Sequence, residues 1–412
     1  MTTYVHAGTL LAVPGQAPLS RHTVAIENGR IMAVTSGFTV PKSGDTNIDL
    51  SDHFVLPGLI DCHVHLTGEL GPRHKLELVE ESPTAIALHA ARNARITLEA
   101  GFTTVRDLGE LGGAGDAIFS LRNAVAKGYV PGPRIFAAGS IISPTGGHGI
   151  TCGYRDDINL LLDASGRSDG VDGCRHAVRR QVSRGADFIK FVATGGVLTD
   201  TATGTDQQFF DDEYEAIVAT AHMLGRKTTA HAHGADGMKA ALKAGVDGIE
   251  HGTFMDEEVM ETMKRRGVFY VPTMLAGATV AEYATKHDFL PPAVRDKALA
   301  VGPQIRETMR HGHAAGLRIA FGTDTAVSPH GENAREFALM VEAGMSPMEA
   351  IVAATRTASE HIGHARDLGS IEPGKAADII ATSASPLDDI LELQKIRFVM
   401  RGGTVFKQPH AA

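Results

Sequence analysis

The chain has 412 residues, with 39 Lys and Arg against 48 Asp and Glu, so its formal net charge is −9. That balance argues against a nucleic-acid binder, and 43% apolar with 21% charged residues is a globular composition rather than a disordered one. No apolar run approaches the roughly 20 residues that span a bilayer, and the first five residues carry no basic leader, so a soluble cytoplasmic protein is expected. The three cysteines, Cys62, Cys152 and Cys174, make no disulfide framework and fit a reducing compartment. The 20 histidines are the anomaly, because imidazole is the commonest side-chain metal ligand.

Residues 23–26 and 31–34 alternate as strands around the turn signal Glu27-Asn28-Gly29-Arg30, a hairpin. Short apolar runs then recur near 55–66, 102–107, 134–139, 187–192, 226–231, 247–251, 268–272 and 318–323, each followed by a helix-compatible stretch. Eight such units predict a (β/α)₈ TIM barrel over residues 56–367. A doubly wound sheet is the competitor, but no Gly-x-Gly-x-x-Gly follows the first strand. The tail offers a turn at 369–375, a strand at 377–381 and a hairpin over 398–406. Segments 1–55 and 368–412 are therefore expected to pair into a small β-sandwich domain.

In a barrel the reactive groups sit at the C-terminal ends of the strands. Alternation along the first run turns His63 and His65 the same way, where two imidazoles can chelate one ion, and leaves Cys62 as a core thiol. The fourth run places Lys190 in a strand buried on both faces. Such a lysine either pairs with a buried acid or is kept neutral by desolvation. A neutral amine reacts with CO₂ to a carbamate, a bidentate oxygen ligand able to bridge two ions. The fifth run turns His231 and His233 to one face. The sixth closes on His251 and sends Glu250 toward the helix side, to a salt bridge. The eighth ends on Asp324, a helix cap or a ligand and base. Nitrogen and oxygen donors of this kind suit zinc or a similar divalent ion.

These residues resemble the binuclear subtype of the amidohydrolase superfamily. The marks are Pro57-Gly58-Leu59-Ile60-Asp61-Cys62-His63-Val64-His65, Lys190, His231, His251, Gly322-Thr323-Asp324 and the tail Gly369-Ser370-Ile371-Glu372-Pro373-Gly374-Lys375-Ala376-Ala377-Asp378. Phe188-Ile189-Lys190, Ala230-His231-Ala232-His233-Gly234 and Ile249-Glu250-His251-Gly252 are most similar to the prolidase-like branch. That branch holds Xaa-Pro and other dipeptidases or carboxypeptidases and ochratoxin-hydrolysing amidases; imidazolonepropionases are more distant. The resemblance implies two zinc ions, His63 and His65 on the more buried one and His231 and His251 on the more exposed one. It implies N6-carboxylysine at Lys190 as the bridge, with Asp324 both binding the buried ion and shuttling a proton. A metal-bridging hydroxide would then attack an amide or peptide bond to a C-terminal amino acid. The substrate is a small molecule, a dipeptide or N-acyl amino acid, with no nucleic-acid or membrane partner, and relatives imply a homo-oligomer, an octamer.

His233, inward beside His231, is a candidate oxyanion donor where relatives often carry tyrosine. His148, in a loop after the third strand, is a second candidate or a histidine without a role, and His330, after the eighth, is a candidate substrate contact. Arg106-Asp107 either touches the site from behind or forms structural ion pairs. Thr194-Gly195-Gly196-Val197 could let backbone approach a substrate, and 175–180 reads as a solvated basic face. His311, His313, His361 and His364 are assigned no role. Two other functions compete: cyclic-amide hydrolysis of the imidazolonepropionase type, and a non-catalytic scaffold, against which all six filled ligand positions argue.

Overall fold

A computed structural model describes the chain except residues 111–115, 151–153, 163–165, 200–203 and 410–412 and the side chains of 156, 160 and 161. The chain opens with strands β1 (Thr3–Leu10), β2 (Leu19–Glu27), β3 (Arg30–Ser36) and β4 (Thr46–Pro57). Asn28 and Gly29 have φ of 50° and 76°, the two positive values of a type I′ turn. The expected hairpin of β2 and β3 follows from it.

The apolar run at 55–66 is not one strand. It breaks at Gly58, where a Cβ would fall 2.2 Å from Thr103 Oγ1. Residues before the break finish β4, and those after it form β5 (Leu59–Val64). Seven parallel strands follow: β6 (Phe102–Asp107), β7 (Arg134–Ala137), β8 (Ile189–Val192), β9 (Thr228–Ala232), β10 (Gly248–His251), β11 (Phe269–Val271) and β12 (Arg318–Ile319). They make a three-stranded sheet, β5-β6-β7, and a five-stranded one, β12-β11-β10-β9-β8. Backbone hydrogen bonds also cross between the two sheets. On one side Asp187 N donates to Ala137 O (2.9 Å) and Ile142 N to Lys190 O (2.9 Å); on the other Cys62 N donates to Phe321 O (2.9 Å). The eighth strand is shorter than expected. Its ladder stops at Ile319, and the chain continues past Gly322 to Asp324, which has φ 58°.

Helices fill the gaps between strands, and local chemistry sets their ends. In Glu257–Arg266, Asp256 caps the start by accepting from Val259 N (2.9 Å), and Gly267 ends it at φ 67°. Glu257 and Glu258 lie in its first turn and Lys264, Arg265 and Arg266 in its last, the charge order its dipole favours. Val259 and Met263, four residues apart, form its buried face.

The tail supplies β13 (Ile379–Thr382), β14 (Phe398–Arg401) and β15 (Thr404–Lys407). β13 lies antiparallel to β4, so both ends of the chain share one seven-stranded sheet ordered β15-β14-β13-β4-β1-β2-β3. A Cβ at Gly29 would fall 2.6 Å from Gly402 O, so the two hairpin turns meet backbone to backbone. Cys62 and Cys174 are buried free thiols, and Cys152 lies outside the described residues. No helix among the described residues is long and apolar enough to cross a membrane.

Candidate active site

The strand ends converge on an open cavity of about 230 Å³. His63, His65, Lys190, His231, His251 and Asp324 all line it. Asp324 Oδ1 lies 3.3 Å from His63 Nε2 and 3.2 Å from His65 Nε2. The three residues bring one ligand atom each within 4.8 Å of one another, the geometry of a metal site. Asp61 holds β5 to the segment that carries Asp324. It is fully buried and accepts from His63 N (3.0 Å), Thr323 N (3.2 Å), Thr323 Oγ1 (2.7 Å) and Asn333 Nδ2 (2.8 Å).

Three of the imidazoles are fixed through Nδ1. His63 Nδ1 bonds Glu250 Oε2 (2.9 Å), His65 Nδ1 donates to Gly109 O (2.7 Å) and His251 Nδ1 bonds Thr273 Oγ1 (2.7 Å). Asp107 sets the second of these by accepting from Leu66 N (2.7 Å) and Gly109 N (3.2 Å). The rings run in a chain: His63 to His251 is 5.0 Å between centroids, His251 to His231 4.5 Å and His231 to His148 4.2 Å.

Glu250 does not face a helix. It is fully buried and lies inside, held by Arg106 Nη2 and Thr229 Oγ1 on one oxygen and His63 on the other. Simple alternation fails here because His251 has φ 67°, which swings the last side chain of β10 to the same mouth. Burial would raise the Glu250 carboxyl, but Arg106 and His63 hold it well below the usual range. Arg106 thus reaches the site through Glu250, and its Nε also donates to Cys62 O (2.7 Å).

Lys190 is buried, and its amine has no hydrogen bond or ion pair among the described residues. Burial pushes it down to about 8, against the pull of Glu250 and Asp324. Burial would raise Asp324 as well, but His63 and His65 hold it well below the carboxylate range.

His233 stacks on His251 (5.1 Å, 14°), and its Nδ1 bonds Thr253 Oγ1 (2.7 Å). His148 bonds Thr199 Oγ1 through Nδ1 and takes Gln208 Oε1 on its backbone N–H (2.9 Å). Burial pushes His233 down to about 3 and His148 to about 4, so both are neutral. The Gly-rich stretch after β8 approaches His148: a Cβ at Gly196 would sit 2.3 Å from its Cε1. His330 stands apart. It is buried, its Nε2 donates to Gly68 O (2.9 Å), and it is not among the residues lining the cavity.

The amidohydrolase family model matches residues 54–406. The chain belongs to the amidohydrolase family. Within it, this amidohydrolase is 33% identical to the ochratoxinase of Aspergillus niger, over 99% of this chain and 87% of that one. A crystal structure of a Xaa-Pro dipeptidase with methionine bound in its active site superposes with a TM-score of 0.92, at 41% identity over 99% of this chain and all of that one. A prolidase complexed with N-methylphosphonate-L-proline gives 0.90, at 31% identity over 99% and 100%. The amidohydrolase therefore lies in the prolidase and ochratoxinase branch and is a hydrolase.

Proposed function

We propose that the chain hydrolyses the amide or peptide bond to a C-terminal amino acid, in dipeptides, N-acyl amino acids and ochratoxin-type amides, using two divalent ions, zinc. The observation that carries this reading is the single cavity lined by His63, His65, Lys190, His231, His251 and Asp324. The relatives named ochratoxinase and Xaa-Pro dipeptidase, the second with an apolar amino acid bound, support the substrate class. The two parallel sheets would then be parts of one (β/α)₈ barrel, and the seven-stranded sheet part of a sandwich.

The donors fit such ions. His231 Nε2 is buried without a hydrogen-bond partner among the described residues. The Nδ1 atoms of His63, His65 and His251 are engaged, which leaves each Nε2 for a metal. His63, His65 and Asp324 would hold the more buried ion and His231 and His251 the other. Lys190, as its carbamate, would lie between them. That carbamate forms when the neutral amine nitrogen bonds the carbon of CO₂ and releases one proton to solvent.

Bound ions of this kind acidify a water and polarise a carbonyl. The chain's own residues do the rest. Asp324, a carboxylate at neutral pH, takes the proton of the attacking water and returns it to the leaving amine. A Thr253 hydroxyl donating to Nδ1 leaves the His233 proton on Nε2, available to a developing oxyanion; neutral His148, on the far side of His231, is the second such donor. Glu250 keeps the His63 proton on Nδ1. Glu250→Gln is expected to weaken zinc binding by about 10- to 100-fold in chelator competition. Unchanged affinity would remove Glu250 from this role.

The reading is tested by a turnover screen of zinc-loaded enzyme. The panel holds dipeptides with C-terminal Pro, Phe, Leu, Arg and Lys, N-acyl amino acids and ochratoxin A, with cyclic amides as contrast. Turnover of linear amides is expected. Activity on cyclic amides alone would move the protein to the imidazolonepropionase type, and metal-free inactive protein would make it a scaffold.

A further inference from the structure

Glu336 is a fully buried acid that the proposed chemistry does not use. It lies in the first turn of the helix Arg335–Glu342, which follows the segment carrying Asp324. Its two oxygens accept from successive backbone N–H groups, Oε1 from Met274 (3.0 Å) and Oε2 from Leu275 (2.6 Å). Those are the first two residues of the helix Met274–Lys286, and Thr273 stands at its N-cap. A threonine there ordinarily turns its hydroxyl on an N–H of its own first turn. Thr273 makes no such bond, and its Oγ1 is engaged by His251 Nδ1 (2.7 Å). It also has φ 53°, a left-handed backbone that a β-branched residue holds only under constraint. Glu336 therefore supplies, from another element, the cap that Thr273 does not.

The same turn serves the other half of the site. Three residues before Glu336, Asn333 Nδ2 donates to Asp61 Oδ2 (2.8 Å). Asp61 in turn accepts from His63 N (3.0 Å) and from Thr323 Oγ1 (2.7 Å), beside Asp324. Three residues earlier again, His330 Nε2 donates to Gly68 O (2.9 Å), just beyond His65. The spacing 330, 333, 336 thus ties β5, the loop after it and the start of Met274–Lys286 to one segment. His63, His65 and Asp324 lie on one side of that tie, and His251 lies on the other.

We propose that Glu336 is a positioning residue for His251: by capping Met274–Lys286 it leaves the Thr273 hydroxyl to fix the His251 ring. Asn333, on the same turn, fixes the side of His63 and Asp324, so one segment sets the distance between the two ion sites. This rests on the two-ion reading and deepens it, because it names what holds the ligands of one ion at a set distance from those of the other.

The test measures zinc affinity by chelator competition, and His251→Ala shows which of the two binding steps belongs to the more exposed ion. Glu336→Ala, and Glu336→Gln with one acceptor kept, should weaken that step by about 10- to 100-fold and leave the other nearly unchanged. Asn333→Ala should do the reverse. Thr273→Val removes the hydroxyl and should match Glu336→Ala, and the double variant should lose no more than either single one, because both act through one link. An acid that merely stabilised the fold would lower both steps together, and its loss would add to that of Thr273→Val. Either of those results overturns the assignment while amide hydrolysis stands. If the wild-type chain binds fewer than two zinc ions, the two-ion reading fails instead, and crystal structures of metal-free wild type and Glu336→Gln decide. A Thr273 hydroxyl turned back to its own helix in the variant supports the assignment; one still on His251 overturns it.

Discussion

Lys190→Ala is expected to lose most bound metal and to lower turnover by more than about 100-fold, since even residues behind the ligands are worth 10- to 100-fold. The chain should nevertheless stay folded. The wild-type amine is buried without a hydrogen bond or ion pair among the described residues, so removing it also removes a desolvation cost that the charges of Glu250 and Asp324 offset only in part. The metal-free variant should therefore melt no lower than metal-free wild type by more than the loss of the buried lysine stem accounts for. The physical case for a carbamate is one of charge. An amine pushed down to about 8 has a neutral fraction at pH 7 that can attack CO₂. The product is an anion beside Asp324 and Glu250, two carboxylates held ionised. Three anions in one buried site repel unless cations lie among them, so carbamate and metal each require the other. Metal analysis of both proteins checks this: two ions per chain and full turnover in Lys190→Ala would end the carbamate proposal.

How much of this was legible in the sequence differs by element. His63, His65, Lys190 and His231 could be placed because a parallel strand has period two and its C-terminal end opens on one mouth, and Asp324 because the eighth apolar run ends on it. The same period misplaced Glu250. One positive φ at His251 puts consecutive residues on the same side, and no local pattern announces it. The hydroxyls of Thr199, Thr253 and Thr273 that fix His148, His233 and His251 were also invisible. Each sits on a different loop or strand from its histidine, and only the tertiary fold brings them together. The order of the seven-stranded sheet was hidden for the same reason, whereas Asn28-Gly29 announced its hairpin because the turn is local. His330 was singled out by its loop, but loop position does not say which way a side chain turns, and this one turns to Gly68.

Asp324→Asn is the sharpest test of the chemistry, because it changes one oxygen to an amide and leaves the volume unchanged. The carboxylate has two tasks with different signatures. One is to hold position beside His63 and His65, which Asn can partly retain through its carbonyl oxygen. The other is to accept a proton from the attacking water and give it to the amine, which an amide cannot do. Loss of a positioned general base costs about 10²- to 10⁴-fold, so kcat should fall by that amount even in variant enzyme that still contains metal. The pH profile separates the tasks. In wild type the contacts with His63 and His65 keep the carboxyl ionised well below its ordinary range, and kcat/KM should decline only where the pH falls far enough to protonate it. In Asp324→Asn no such group remains, so the residual rate should lose that acid limb. A variant with wild-type turnover, or one whose acid limb is unchanged, would take Asp324 out of the proton transfer. A variant short only of metal, with normal turnover per bound ion, would leave it as a ligand and nothing more.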